Sequence, residues 1–256
     1  MKYIFRSSID IDHKDWKPGR RGRVPLEWVE HRLKLFHDYT LKSLLNQTEQ
    51  DFEIWVFCGQ CYKATTSAYN WHPRVKVIYG VEEFFRNFLS IFNEEYITIA
   101  RIDSDDLYHK NAFKVIKENL VKNKNKDTKM AFCTMYSWHR INNIIKRYHQ
   151  RHPPCFVHTF PKKLYKDFNY FKKVHLSKHV GASHDSKELP EYHFCETIHD
   201  QSWTRQKRHG WSKSYVEKVV SEELKLDYLK HKKLLAIDKE GLYNILKDFG
   251  VKKDLI

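Results

Sequence analysis

Tyr96-Ile97-Thr98-Ile99-Ala100-Arg101-Ile102-Asp103-Ser104-Asp105-Asp106 is the stretch whose reading decides the fold. Up to Ile102 it is apolar or β-branched apart from one arginine, the composition of a buried strand. It then passes without a spacer into a cluster of carboxylates. Ligands of an α/β sheet settle outside the carboxyl ends of its strands. A strand ending in an acidic turn therefore marks an element and a site together. Asp103 and Asp105, at i and i+2, straddle the turn and can share one divalent cation. Magnesium and manganese favour such hard oxygens, with water and phosphate filling the other positions. The plainer alternative is a solvated turn or a helix start, where aspartate caps orphan amides.

Working outward, Phe52 to Cys58 and Val75 to Tyr79 read as strands rich in aromatic and branched residues, and Tyr3-Ile4-Phe5 as a short first strand. Leu26, Val29, Leu33, Phe36 and Leu44 recur at helical spacing and predict one helix over Leu26 to Leu45. Further helices are expected over Val81 to Phe92 and Asn111 to Lys122. This alternation predicts an α/β fold with a mostly parallel sheet flanked by helices. Beyond Lys129 the rhythm changes. Met130 to Trp138 and Ile144 to Tyr148 predict a hairpin turning near Asn142-Asn143, and Phe156 to Phe160 a strand. Glu217 to Ala236 and Lys239 to Phe249 predict a helical C-terminal segment.

The totals narrow the class. With 256 residues, 41% hydrophobic and 15% aromatic, the chain has the material for a folded core. No stretch approaches the roughly 18 to 20 apolar residues of a membrane span, and Met1 to Ser7 lacks the long apolar run of a secretory signal. A cytoplasmic protein is expected (host cytoplasm if the source is viral). Five cysteines, an odd count over a long chain, do not form a disulfide framework. Cys58-Gly59-Gln60-Cys61 has CxxC spacing, but without a second pair it is a weak zinc signal, and Cys58 reads as the end of a strand. Lys and Arg total 46 against 32 acids, a formal charge of +14. That excess suits a polyanion, either nucleic acid or an anionic membrane face contacted peripherally. It also suits a merely solvated, lysine-rich surface, because it is dispersed over Lys17–Arg23, Lys122–Lys129, Lys146–His152, Lys162–His179 and Arg205–His209.

The run Leu41-Lys42-Ser43-Leu44-Leu45-Asn46-Gln47-Thr48-Glu49-Gln50-Asp51-Phe52-Glu53-Ile54-Trp55-Val56 resembles the helix end and second strand of family-2-like GT-A glycosyltransferases, and Arg101 to Asp106 is similar to their DXD motif. Taken with Arg6, the pattern most resembles the rhamnosyltransferase branch, over about residues 1–125 and more loosely over 190–215. The resemblance implies a Rossmann-like nucleotide-diphospho-sugar transferase fold. Its catalytic domain would span 1–215, with a nucleotide-sugar half to about 125 and an acceptor half beyond it, followed by a helical extension over 216–256. It implies a metal-dependent hexosyl- or pentosyltransferase using Mn2+ or Mg2+. Such an enzyme moves a sugar from a UDP-, GDP- or dTDP-linked donor to a hydroxyl, on a glycan and with inversion. Arg6, Arg101, Asp103, Ser104 and Arg205 are then the expected donor-binding residues, and Asp103, Asp105 and His209 the expected metal ligands. One departure stands out: relatives carry aspartates after the second strand to read the nucleoside, where this chain has Cys58-Gly59-Gln60.

A second locus is His199-Asp200-Gln201-Ser202-Trp203-Thr204-Arg205 with His209-Gly210-Trp211. In the resembling family a carboxylate in an "ED" phrase serves as base. Asp200 matches it, with His199 in place of the glutamate and Arg205 and Gly210 at similar offsets. Inverting transfer needs one base to take the acceptor proton. The alternative is that Asp200 caps a helix starting at Gln201. Lys207, Arg208 and Lys213 can hold phosphate charge or form an ordinary basic surface. Trp203, Trp211 and His184 are the candidate acceptor contacts, and Trp138 can stack on a sugar or pack in the core. Two other functions fit parts of the pattern. A phage-type DNA glycosyltransferase acting on hydroxymethylated pyrimidines would use the positive charge, with modified DNA as partner. A non-catalytic polyanion-binding protein would gain nothing from the acidic cluster.

Overall fold

β1 (Lys2–Ser8) runs between two parallel neighbours, β2 (Glu53–Cys58) and β4 (Tyr96–Arg101), in the computed structural model of the chain. The structure describes residues 1–9, 25–80, 83, 86, 94–121, 128–140, 143–149, 153, 155–161, 164, 187–199, 234–236 and 238–256. β3 (Val75–Tyr79) adds in parallel to β2, while β9 (Phe156–Pro161) runs antiparallel to both β4 and β6 (Thr128–Ala131). With the short β10 (Lys187–Glu188) these form a seven-stranded sheet in the order β10-β6-β9-β4-β1-β2-β3. The mixed α/β class with a large, mostly parallel sheet is the one expected from the strand–helix alternation. A second sheet, which the sequence reading did not anticipate, has five strands. It combines β5 (Leu107–Tyr108), β7 (Thr134–His139), β8 (Ile144–His149), β11 (Phe194–Ile198) and β12 (Leu234–Ala236) in the order β12-β8-β7-β11-β5.

Three differences from the expected elements have physical causes. The helix from Leu26 to Leu45 is broken into α1 (Leu26–Leu35), a π turn over Phe36–Thr40, and α2 (Leu41–Leu45). Val29, Leu33, Phe36, Leu41 and Leu44 pack into the core under the large sheet, whereas Leu35 and Tyr39 pack into a separate core with Trp138, Ile145, Cys195, Leu242 and Phe249. One regular helical stripe cannot serve both cores. The wider turn re-aims the intervening side chains, as π bulges do. The single strand expected over Met130–Trp138 divides at Phe132-Cys133 into β6 and β7, which belong to different sheets. Apolar composition marks burial but not which sheet receives the strand. β7 and β8 do form the expected hairpin, and Asn143 takes a left-handed φ of 50° in its turn. Finally, Leu234–Ala236 is a strand paired with β8, where a helix was expected. Residues 217–233 and most of the helix expected over Val81–Phe92 lie outside the described residues.

The remaining helices include α3 (Lys63–Ser67), α4 (Ala112–Val121) and α5 (Lys239–Leu246), and α5 closes the second core through Leu242 and Leu246. Among the described residues no helix is long and apolar enough to cross a membrane. The Ser43 to Thr48 phrase acts as a clasp between α2 and the start of α4. The buried Gln47 amide donates to the carbonyls of Ser43 (3.0 Å) and His109 (2.8 Å) and accepts from the Phe113 amide (3.0 Å). The Thr48 amide donates to the Lys110 carbonyl at 2.8 Å. Phe113 is in turn a hub of edge-on contacts with Tyr3, Phe5 and Phe52, at 5.1, 5.9 and 5.0 Å. The clasp thus fixes where α4 meets β1. Gln47→Leu strips these partners from buried backbone groups and is expected to cost about 2–4 kcal/mol, read as a lowered urea midpoint with an unchanged m-value.

Candidate active site

The large sheet reverses its winding between β1 and β4, since β2 and β3 extend to one side of β1 and β4 to the other. Such a switch point opens a crevice at the strands' carboxyl ends. Arg6 and Arg101 are register neighbours there, and the Ile102 amide continues the ladder by donating to the Arg6 carbonyl at 3.0 Å. The chain then turns through Asp103-Ser104-Asp105-Asp106, closed by the Asp106 amide on the Asp103 carbonyl at 3.1 Å. Arg6, Arg101 and the whole acidic turn therefore converge at the crevice. The individual side chains differ sharply in what they can do.

Asp103 is the open carboxylate, 40% exposed, with Oδ1 accepting from Arg101 Nη2 at 2.9 Å. Arg6 is buried, its guanidinium 4.8 Å from the centre of the Phe57 ring and 3.5 Å from Ser8 Oγ. Ser104 is wholly buried and its hydroxyl makes no hydrogen bond with the described residues. Asp106 is buried as well, and its Oδ1 accepts from the Thr197 amide at 2.9 Å. Burial, followed by the charges of Asp105, Asp103 and Glu196, pushes its carboxyl well above the ordinary range.

Asp105 occupies the centre of a charged network that the sequence reading missed. Arg32, on α1, grips it with both terminal nitrogens: Nη1 with Oδ2, and Nη2 with Oδ1 at 2.9 Å. His199, just past the end of β11, places Nε2 2.9 Å from the same Oδ2. Burial alone would raise the Asp105 carboxyl. The Arg32 charge and the His199 hydrogen bond overcome that and hold it well below the usual carboxylate range. Trp28 lies 5.3 Å from the Arg32 guanidinium and His31 lies 5.4 Å from the His199 ring, so the network is walled by rings. One signal for Arg32 was in the sequence: it is a charge set among Val29, Leu33 and Phe36 on the core-facing stripe of a helix. Such a residue needs a buried partner.

These side chains fit a divalent cation only in part. Asp103 presents a solvent-facing carboxylate, whereas both Asp105 oxygens are already engaged. Among the described residues no three His, Cys, Asp or Glu side chains are grouped to hold a metal. A cation at Asp103 would draw its other ligands from water, from phosphate, or from His209. His209 lies outside the described residues, as do Asp200, Arg205, Trp203, Trp211 and His184. Trp138 is a core residue, 1% exposed.

Removing Arg32 leaves the buried Asp105 carboxylate without its guanidinium partner. Arg32→Met is expected to cost about 3–5 kcal/mol. Arg32→Met combined with Asp105→Asn should cost clearly less than the sum of the single changes. A double-mutant cycle in urea reads the difference, and strictly additive losses would show the pair to be uncoupled.

Residues 9–78 match the family model described as "Putative rhamnosyl transferase", a span that includes Arg32, the Gln47 clasp and β2. No curated protein shows a significant sequence match. Solved structures similar in chain path include TarS residues 1–349 of S. aureus, at 12% identity and TM-score 0.41, covering 100% of this chain and 82% of that one. They include Rv0371c of Mycobacterium tuberculosis in complex with manganese, at 12% identity and TM-score 0.34, covering 81% and 96%. They also include 4-diphosphocytidyl-2C-methyl-D-erythritol synthase of Anaerococcus prevotii, at 12% identity and TM-score 0.35, covering 77% and 86%. The matched stretch includes the Leu41 to Val56 run on which part of the resemblance to rhamnosyltransferases rests, while Arg6 and the acidic turn lie outside it.

Proposed function

We propose that the chain is a glycosyltransferase that takes a sugar from a nucleotide-sugar donor and places it on an acceptor hydroxyl. The observation that carries this reading is the acidic turn at the β1–β4 switch point, with Asp103 held open by Arg101. The match of residues 9–78 to a rhamnosyl transferase family model supports the same reaction class. A binding module for polyanions would not set a carboxylate at the mouth of its crevice. Asp103 is the residue that would hold Mn2+ or Mg2+. Bound there, the ion would neutralise the donor's diphosphate as it leaves. Arg101 holds one oxygen of that carboxylate, and its own charge would lie beside the incoming phosphates. Asp200, next in the chain to His199, is the proposed base, taking the acceptor hydroxyl proton during in-line attack with inversion. Arg205 and His209 are proposed to contact the donor, and Trp203, Trp211 and His184 the acceptor.

Two substitutions separate donor handling from proton transfer. Asp103→Asn is expected to abolish manganese-dependent release of nucleotide from UDP-, GDP- or dTDP-sugars. Asp200→Asn should keep nucleotide affinity while lowering transfer by about 10²–10⁴-fold. A wild-type protein that consumes none of these donors with manganese present would overturn the reading.

A glycan hydroxyl is the proposed acceptor. The formal charge of +14 favours a second reading in which the hydroxyl belongs to a modified base in DNA. Lys and Arg would then neutralise backbone phosphates, so duplex affinity measured by fluorescence anisotropy should fall steeply as salt rises. Absence of binding at low salt removes the DNA acceptor and leaves the transferase reading intact.

A further inference from the structure

Asp105 sits where three separate pieces of chain meet. Arg32 comes from α1, which precedes β2 of the large sheet. Asp105 itself follows β4 of that sheet. His199 follows β11 of the second sheet. A further pair of bonds ties the same joint: Thr197, on β11, donates its amide to Asp106 Oδ1 at 2.9 Å and its hydroxyl to the Asp105 carbonyl. The turn, which follows β4 of the large sheet, is therefore braced by a helix and by the second sheet. Asp103, two residues away, is the member of the cluster left open to the crevice.

The chemistry of the brace is specific. A guanidinium fork holds both carboxylate oxygens in one plane, so it fixes the rotation of the carboxylate as well as its position. A lysine would supply the same charge from a single point and leave that rotation free. His199 adds a third donor, on Oδ2, and is itself almost wholly buried. A turn held this way cannot swing its open end without breaking charge-assisted bonds in a desolvated place.

We propose that Arg32 and His199 are positioning residues: by bracing Asp105 from α1 and from the end of β11, they hold the acidic turn so that Asp103 is presented to the donor's diphosphate. This rests on the donor reading above and deepens it. It also gives Asp105 the role of a strut in place of the cation ligand expected from its i, i+2 spacing.

Conservative variants separate a positioning role from a merely structural one. Arg32→Lys keeps the charge but not the fork. His199→Phe keeps a ring but not the donor, and His199→Gln restores a donor toward Asp105. Each is compared with wild type in two measurements: the urea midpoint, and the affinity for UDP, GDP and dTDP, each with manganese chloride, by calorimetry well below the unfolding transition. Arg32→Lys and His199→Phe should weaken nucleotide binding by at least about tenfold, as small displacements of a contacting group do. His199→Gln should stay within about threefold of wild type. Wild-type affinity in Arg32→Lys and His199→Phe, whatever their urea midpoints, would overturn the proposal. Should His199→Phe fail to fold, Arg32→Lys against His199→Gln decides it. A wild-type protein that binds none of the nucleotides would bring down the donor reading itself, a result distinct from variants that bind as well as wild type.

Discussion

A carboxylate and a guanidinium buried together at the mouth of a sheet constrain everything around them. Desolvating Arg32 and Asp105 is expensive, and their attraction compensates only while the geometry is good and the remaining lone pairs are satisfied. The structure meets that condition with a two-pronged grip from α1 and a third donor from His199. Because neither charge can be left alone in that environment, α1, the acidic turn and the end of β11 must arrive in register together. The pair is a weak source of net stability, while removing one partner alone is costly.

Around that joint the chain divides its apolar residues between two cores. Val29, Leu33 and Phe36 bury against the large sheet, while Leu35 and Tyr39 reach the second core closed by α5. The π turn at Phe36–Thr40 is where one helix serves both. Gly250, at φ 77°, lets the chain pass α2 closely enough that an added Cβ would lie 2.9 Å from the Lys42 carbonyl oxygen. A side chain there would be strained and crowded at once. The Gln47 clasp then sets α4 against β1.

Much of the large sheet was legible in the residues themselves. Glu53–Cys58 and Tyr96–Arg101 are strands because branched and aromatic side chains run through them, as strands buried on both faces require, and the half-buried edge strand Val75–Tyr79 is marked by its branched residues. The acidic turn was placed by its strand alone. The second sheet was harder to see. β5 and β12 are two and three residues long, too short for any period to register, and they exist only because longer neighbours pair with them. β11 shows no clean alternation, since Phe194-Cys195-Glu196-Thr197-Ile198 is apolar at its ends and polar between.

Sequence alone determined that this chain makes a mostly parallel α/β sheet and that one of its strands delivers aspartates to the carboxyl edge. Both follow from local composition and chain order. Which aspartate stays open was decided by the tertiary structure alone. Asp103 and Asp105 are chemically identical and two residues apart. They part company because Arg32, 73 residues earlier than Asp105, and His199, 94 residues later, fold onto one of them and not the other. Charge pairing across such separations depends on how helices and sheets pack, and no spacing within a motif encodes it.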